Sequence, residues 1–188
     1  MSLQAVVIGA SAGGVQALSQ VLPAMPADFP VPILVVVHIP PRRDNALVDL
    51  FAGKCHIRVK EAEDKEPLER GIIYFAPPDY HLLVEAGGTL ALSSDEPVNH
   101  SRPSIDVLFE SAADAFGINL AGIVLTGANS DGAQGLRAIC AAGGQGIVQD
   151  PVSAEVDTMP RAALAACPSS QKVRLEDIRE ALEVLIGP

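Results

Sequence analysis

Three short runs of apolar, largely β-branched residues stand out along the chain: Val6-Val7-Ile8, Ile33-Leu34-Val35-Val36-Val37 and Leu120 to Leu125. None alternates with polar residues, so each predicts a strand buried on both faces, as in a parallel sheet. Shorter runs predict strands at Arg58 to Glu61, Ile72 to Phe75 and Gly146 to Gln149. Between them the apolar period changes to that of a helix. Ala12 to Leu22 puts Val15, Leu18, Val21 and Leu22 on one stripe, and Pro103 or Ser104 to Phe116 does the same with Ile105, Leu108, Phe109 and Ala112. Further helices are expected at Asn45 to Gly53, Asp131 to Ala142, Met159 to Ala166 and Leu175 to Ile186.

Strand and helix alternate, which predicts an α/β fold: a doubly wound, mostly parallel sheet with helices on both faces. The rhythm breaks once. His81 to Glu85 and Thr89 to Leu92 flank Ala86-Gly87-Gly88, the signal of a hairpin. The expectation is therefore a mixed sheet with an antiparallel hairpin at one edge. Pro23 to Pro32, with four prolines, is a loop, and Ser93 to Pro103 is polar and irregular.

Length fits one domain, 1–188. A net charge of −10 argues against nucleic acid or an anionic membrane as partner, since both need a basic surface. No apolar run reaches the ~18 residues of a membrane span, and residues 1–9 lack the charged start of a signal peptide. Cys55, Cys140 and Cys167 are odd in number and widely spaced, which indicates neither a disulfide framework nor a zinc site. The expected setting is the cytoplasm, with no metal and no cofactor.

Candidate chemistry lies at the strand ends. Gly9-Ala10-Ser11-Ala12-Gly13 fits a nucleophile elbow, nearly fits a dinucleotide turn, and also fits a plain glycine-rich turn with Ser11 as helix N-cap. His38 ends the second buried strand, where a dinucleotide fold expects an acid. His56, His81 and His100 do not end core strands. Asp131 and Asp150 each follow a strand, and spacing alone does not separate them as the acid. A serine, a histidine and a carboxylate on one sheet rim are the residue types of ester hydrolysis: nucleophile, proton acceptor and orienting acid. The order Ser, His, Asp differs from the Ser, acid, His order of α/β-hydrolases.

With these residues assembled, the chain resembles the catalytic domain of the chemotaxis protein-glutamate methylesterases (CheB type). The resemblance is carried by Gly9 to Gly14, Val37-His38-Ile39-Pro40, Ala76 to Leu82, Arg102-Pro103-Ser104-Ile105-Asp106 through Phe109, Leu125-Thr126-Gly127, Asp131-Gly132-Ala133, Gln149-Asp150-Pro151 and Met159 to Ala163. It implies a triad of Ser11, His38 and Asp131, and hydrolysis of glutamate γ-methyl esters, with glutamine deamidation as a second activity. It also implies a methyl-accepting chemoreceptor as substrate and partner. The expected oxyanion donors are backbone N–H groups near Ala12 and Ala128. Two departures bear on that pocket: Ala12 stands where the family has a hydroxyl residue, and Ala128-Asn129 stands where it reads Met-Gly. Asn129 is expected to test the loop, because it lacks glycine's freedom at positive φ. These departures motivate an alternative, a catalytically weakened scaffold of the same fold. No receiver domain is expected within these residues, so the rim around Ser11 is expected to be constitutively accessible and unresponsive to small phosphodonors, with a separate receiver protein as the alternative, control in trans.

Overall fold

The computed structural model describes residues 3–39 and 46–187. Its frame is a seven-stranded sheet built from β1 (Ala5–Ala10), β2 (Ile33–Val37), β3 (Arg58–Glu61), β4 (Ile72–Phe75), β7 (Leu120–Val124), β8 (Gln145–Gln149) and β9 (Gln171–Val173). The order is β3-β4-β2-β1-β7-β8-β9, and every pairing is parallel. Every residue of β1, β2 and β7 is buried. Burying one such Ile or Val side chain contributes about 1.5–3 kcal/mol, which is why uninterrupted apolar runs occupy the middle.

Side chains alternate between two faces of that sheet. Val6 and Ile8 point toward α1 (Gly14–Val21), α2 (Ala46–Ala52) and α6 (Ile178–Ile186), in one core with Leu18, Phe51 and Leu182. Ala5 and Val7 point toward α3 (Ile105–Phe116), α4 (Ala133–Ala141) and α5 (Thr158–Ala166), in a second core with Phe109, Leu136 and Ala163. Helices on both faces are as the alternating pattern predicts. No helix among the described residues is long and apolar enough to cross a membrane.

Four expectations need correction. The hairpin, β5 (His81–Glu85) and β6 (Thr89–Ser93), is a separate two-stranded sheet and not an edge of the main one. Both main edges are taken by short parallel strands, β3 and β9. The hairpin instead lays Leu82, Val84 and Leu90 into the second core, and Val84 N–H donates to Ser111 Oγ of α3 at 3.1 Å. Strand β9 was too short and polar, Gln-Lys-Val, to register as a strand. Cys140 and Cys167 form a disulfide, because the end of α4 and the end of α5 meet and bring the two Cα atoms to 6.5 Å. Linear spacing carries no sign of that meeting. Finally, Asp131 does not open α4; it precedes the N-cap, Gly132. The predicted helix start at Asn45 and the Pro40-Pro41 stop lie outside the described residues.

Candidate active site

Strand β1 is the centre of the winding. The chain leaves it toward β2 on one side, and β7 lies on the other, so the carboxyl ends of β1, β2 and β7 surround the switch point. Ser11, His38 and Asp131 follow these three strands. Backbone bonds stitch the rim together: His38 N–H donates to Ala10 O at 3.0 Å, and Ser11 N–H to Thr126 O at 3.0 Å. Thr126 Oγ1 donates to Ala12 O at 2.9 Å and accepts from Val156 N–H at 2.9 Å, which ties the Ser11 turn to the loop after β8. Ser11 is not a helix cap; that place belongs to Gly13, at φ 76°.

Asp131 is the most heavily bonded group of the site. Its carboxylate has no solvent exposure. Oδ2 accepts from His38 Nε2 at 2.8 Å and from Ile105 N–H at 2.7 Å. Oδ1 accepts from Ser104 Oγ at 2.9 Å, Asp106 N–H at 3.1 Å and Asn99 Nδ2 at 2.8 Å. Asp131 thus caps the N-terminus of α3, where unpaired N–H groups favour a negative charge. Asp106 of α3 returns the arrangement: its Oδ1 accepts from Gly132 N–H at 2.9 Å and Gly135 N–H at 2.7 Å at the start of α4. The acid that precedes α4 caps α3, and the acid in the first turn of α3 caps α4. Asn99 Nδ2 bridges the two, donating also to Asp106 Oδ2 at 2.7 Å.

This interlock needs close approach. A Cβ on Gly9 would sit 2.4 Å from Ile105 Cγ2, so only glycine lets the start of α3 reach the rim. Gly132 turns the chain at φ 95°, a region that disfavours other residues. Burial pushes the Asp131 carboxyl up, but the bonds from His38, Ile105 N–H, Asn99 and Asp106 N–H outweigh it and hold it below the ordinary carboxylate range. The Asp106 carboxyl is raised by its burial, which the Gly135 N–H offsets and the neighbouring Asp131 charge reinforces.

The two aspartates that follow strands differ in what they reach, and Asp131 is the one bonded to His38. Asp150, at the other strand end, accepts from Val152 N–H at 3.1 Å in its own turn. Histidine His81 is a buried strut: Nδ1 accepts from Ser104 N–H at 3.1 Å, and Nε2 donates to Glu96 O at 3.0 Å. His100 lines a cleft of about 480 Å3 that runs from His38 past Ile39, Leu47 and Pro78 to Arg102. Arg102 is fully engaged in its wall, with Nη2 on Asp79 Oδ1 at 2.7 Å and Nη1 on Ser94 O and Asp95 O.

Of the pocket residues expected near the oxyanion, Ala12 and Ala128 flank the rim. Among the described residues, neither backbone N–H donates a hydrogen bond within the chain. Asn129 is not at positive φ, so the strain anticipated there is absent. Its side chain contacts the site: Nδ2 lies 3.3 Å from His38 Nδ1, and Oδ1 accepts from Asp131 N–H at 3.0 Å. Asn99 was missed by sequence reasoning, as were the capping roles of Ser104 and Asp106. A lone asparagine in a polar loop gives no signal of a partner 32 residues away.

A wholly parallel α/β sheet with a serine, a histidine and a buried aspartate on the rim of its switch point has the design of a hydrolase site. Residues 6–182 match the CheB methylesterase family. The chain belongs to that family. It is 48% identical over 180 residues to a putative protein-glutamate methylesterase/protein-glutamine glutaminase of Leptospira interrogans, covering 96% of this chain and 93% of that one. It is 40% identical over 186 residues to a protein-glutamate methylesterase/protein-glutamine glutaminase of Bordetella bronchiseptica, covering 97% of this chain and 53% of the relative. In three dimensions it resembles the crystal structure of the Thermotoga maritima CheB methylesterase catalytic domain, with a TM-score of 0.91 at 32% identity over 97% of this chain and 98% of that one.

Proposed function

We propose that the chain hydrolyses glutamate γ-methyl esters on the signalling helices of a methyl-accepting chemoreceptor, with Ser11 as nucleophile, His38 as general base and Asp131 as orienting acid. The observation that carries this reading is the 2.8 Å bond between His38 Nε2 and the fully buried Asp131. It commits Nε2 to the acid and leaves Nδ1 as the nitrogen for the Ser11 proton.

Ser11 Oγ attacks the ester carbonyl as Nδ1 takes its proton. The oxyanion is held by the free N–H groups of Ala12 and Ala128. The C–O bond then breaks, methanol departs with the proton from Nδ1, and water repeats the sequence to release glutamate and restore Ser11. A glutamine side chain follows the same course with ammonia as leaving group. The imidazolium formed in each half is stabilised by Asp131, which is held ionised by its bonds. Ser11 Oγ donates no hydrogen bond among the described residues, an arrangement common in resting sites, where catalytic contacts close on substrate binding. The relatives' names support the substrate class, and the reading places the protein in the cytoplasm. The scaffold alternative rests on Ala12, Ala128 and Asn129; oxyanion donation from backbone survives all three side chains, which favours the enzyme.

The test is methanol release from a methylated chemoreceptor fragment by the protein and by Ser11→Ala. Release by the parent alone is the expected result. Equal release by both, or by neither, overturns the reading.

A further inference from the structure

Asn129 stands where His38 has to work. Its amide is oriented without ambiguity. Asp131 N–H can only donate, so the atom facing it is Oδ1, at 3.0 Å. The NH2 is thereby turned to His38 Nδ1, at 3.3 Å. An amide NH2 cannot accept, so Nδ1 is the bare nitrogen, and Nε2 carries the proton that it gives to Asp131 at 2.8 Å. That fixes the tautomer the reaction calls for. It also fills the one lone pair that the Ser11 proton requires. The backbone at Asn129 is not at positive φ, so an alanine fits the same loop and a change there acts through the side chain.

We propose that Asn129 is a positioning residue that brakes the resting site: its amide occupies Nδ1 of His38 and must leave it before Ser11 is deprotonated. This rests on the Ser11–His38 assignment above, and not on which ester is the substrate. Releasing one ordinary hydrogen bond to a neutral, part-buried acceptor corresponds to about fivefold in rate.

A fluorophosphonate that reacts with active serines reads the brake without a natural substrate. Ser11 Oγ bonds to phosphorus, the P–F bond breaks, fluoride leaves, and His38 takes the proton. Asn129→Ala is expected to be labelled about fivefold faster than the parent. In ¹⁵N spectra its His38 Nδ1 signal moves toward that of an unbonded, pyridine-type nitrogen, while Nε2 keeps its proton. Asn129→Asp puts a carboxylate oxygen against Nδ1, which calls for an N–H there. A proton held on Nδ1 leaves no base for Ser11, and labelling falls by about tenfold or more. Labelling of Asn129→Ala at or below the parental rate, an unmoved Nδ1 signal, or parental labelling of Asn129→Asp would each overturn the proposal. Equal labelling of the parent and Ser11→Ala marks a different failure, that of the nucleophile assignment, and the ¹⁵N comparison still decides whether Asn129 holds Nδ1.

Discussion

Asp131→Asn removes one oxygen and one charge from a carboxylate that serves two structures at once. An asparagine there has one acceptor and one donor end. With its NH2 at the Oδ1 position it opposes Asp106 N–H and the Asn99 amide; at the Oδ2 position it opposes Ile105 N–H and His38 Nε2. The second placement orphans fewer groups. It leaves one buried backbone N–H unpaired and removes the charge that caps α3. The expected loss is about 2–4 kcal/mol of folding stability at pH 7. It also favours the tautomer with its proton on Nδ1, which points a donor at the Asn129 NH2 and leaves no base for Ser11. The expected fall in kcat is on the order of 10⁴. The stability loss has a pH signature. The Asp131 carboxyl is held below its ordinary range in the fold, so its contribution is present above about pH 4 and fades as pH falls through the folded value. Urea titrations at several pH values, with methanol release at pH 7, measure both effects. Asp150→Asn is the control, expected within about 0.5 kcal/mol of the parent and fully active. A variant at Asp131 as stable as the parent at pH 7, or one turning over at the parental rate, refutes the reasoning.

Gly9→Ala drives a methyl into Ile105 and is expected to cost about 1–3 kcal/mol in a urea titration, with activity falling as the start of α3 is displaced. Asn99→Ala strips a charge-assisted bond from both Asp131 and Asp106, and thermal unfolding should register a loss of about 2–3 kcal/mol. Reducing the Cys140–Cys167 bridge opens a 27-residue loop and is expected to lower stability by about 3.5 kcal/mol on chain entropy; unchanged denaturation in reductant would count against the bridge.

The parallel core and the placing of Ser11 and His38 were legible because both follow uninterrupted apolar runs, and a buried strand announces its own end. Asp131 could be nominated but not separated from Asp150, since both follow strands and only the folded rim brings one of them to His38. The interlocked caps were illegible for the same reason. Asp106 and Asp131 each look like a first-turn acid of the nearest helix, whereas each serves the other's helix across 25 residues of chain. The hairpin was readable as a hairpin, but which surface it covers depends on Leu82, Val84 and Leu90 meeting α3, a contact between segments with no local signature. Asn129 looked like a backbone problem, and its effect lies in its amide.

The central claim is that Ser11, His38 and Asp131 act as one unit, and the most direct measurement is kcat/KM on a methylated chemoreceptor fragment for each single alanine variant and for the triple variant. Groups that act together lose their effect together. Each single change is therefore expected to remove several orders of magnitude, and the triple variant to fall no further than Ser11→Ala. Losses that multiply through to the triple variant, or turnover that survives Ser11→Ala, would contradict the account.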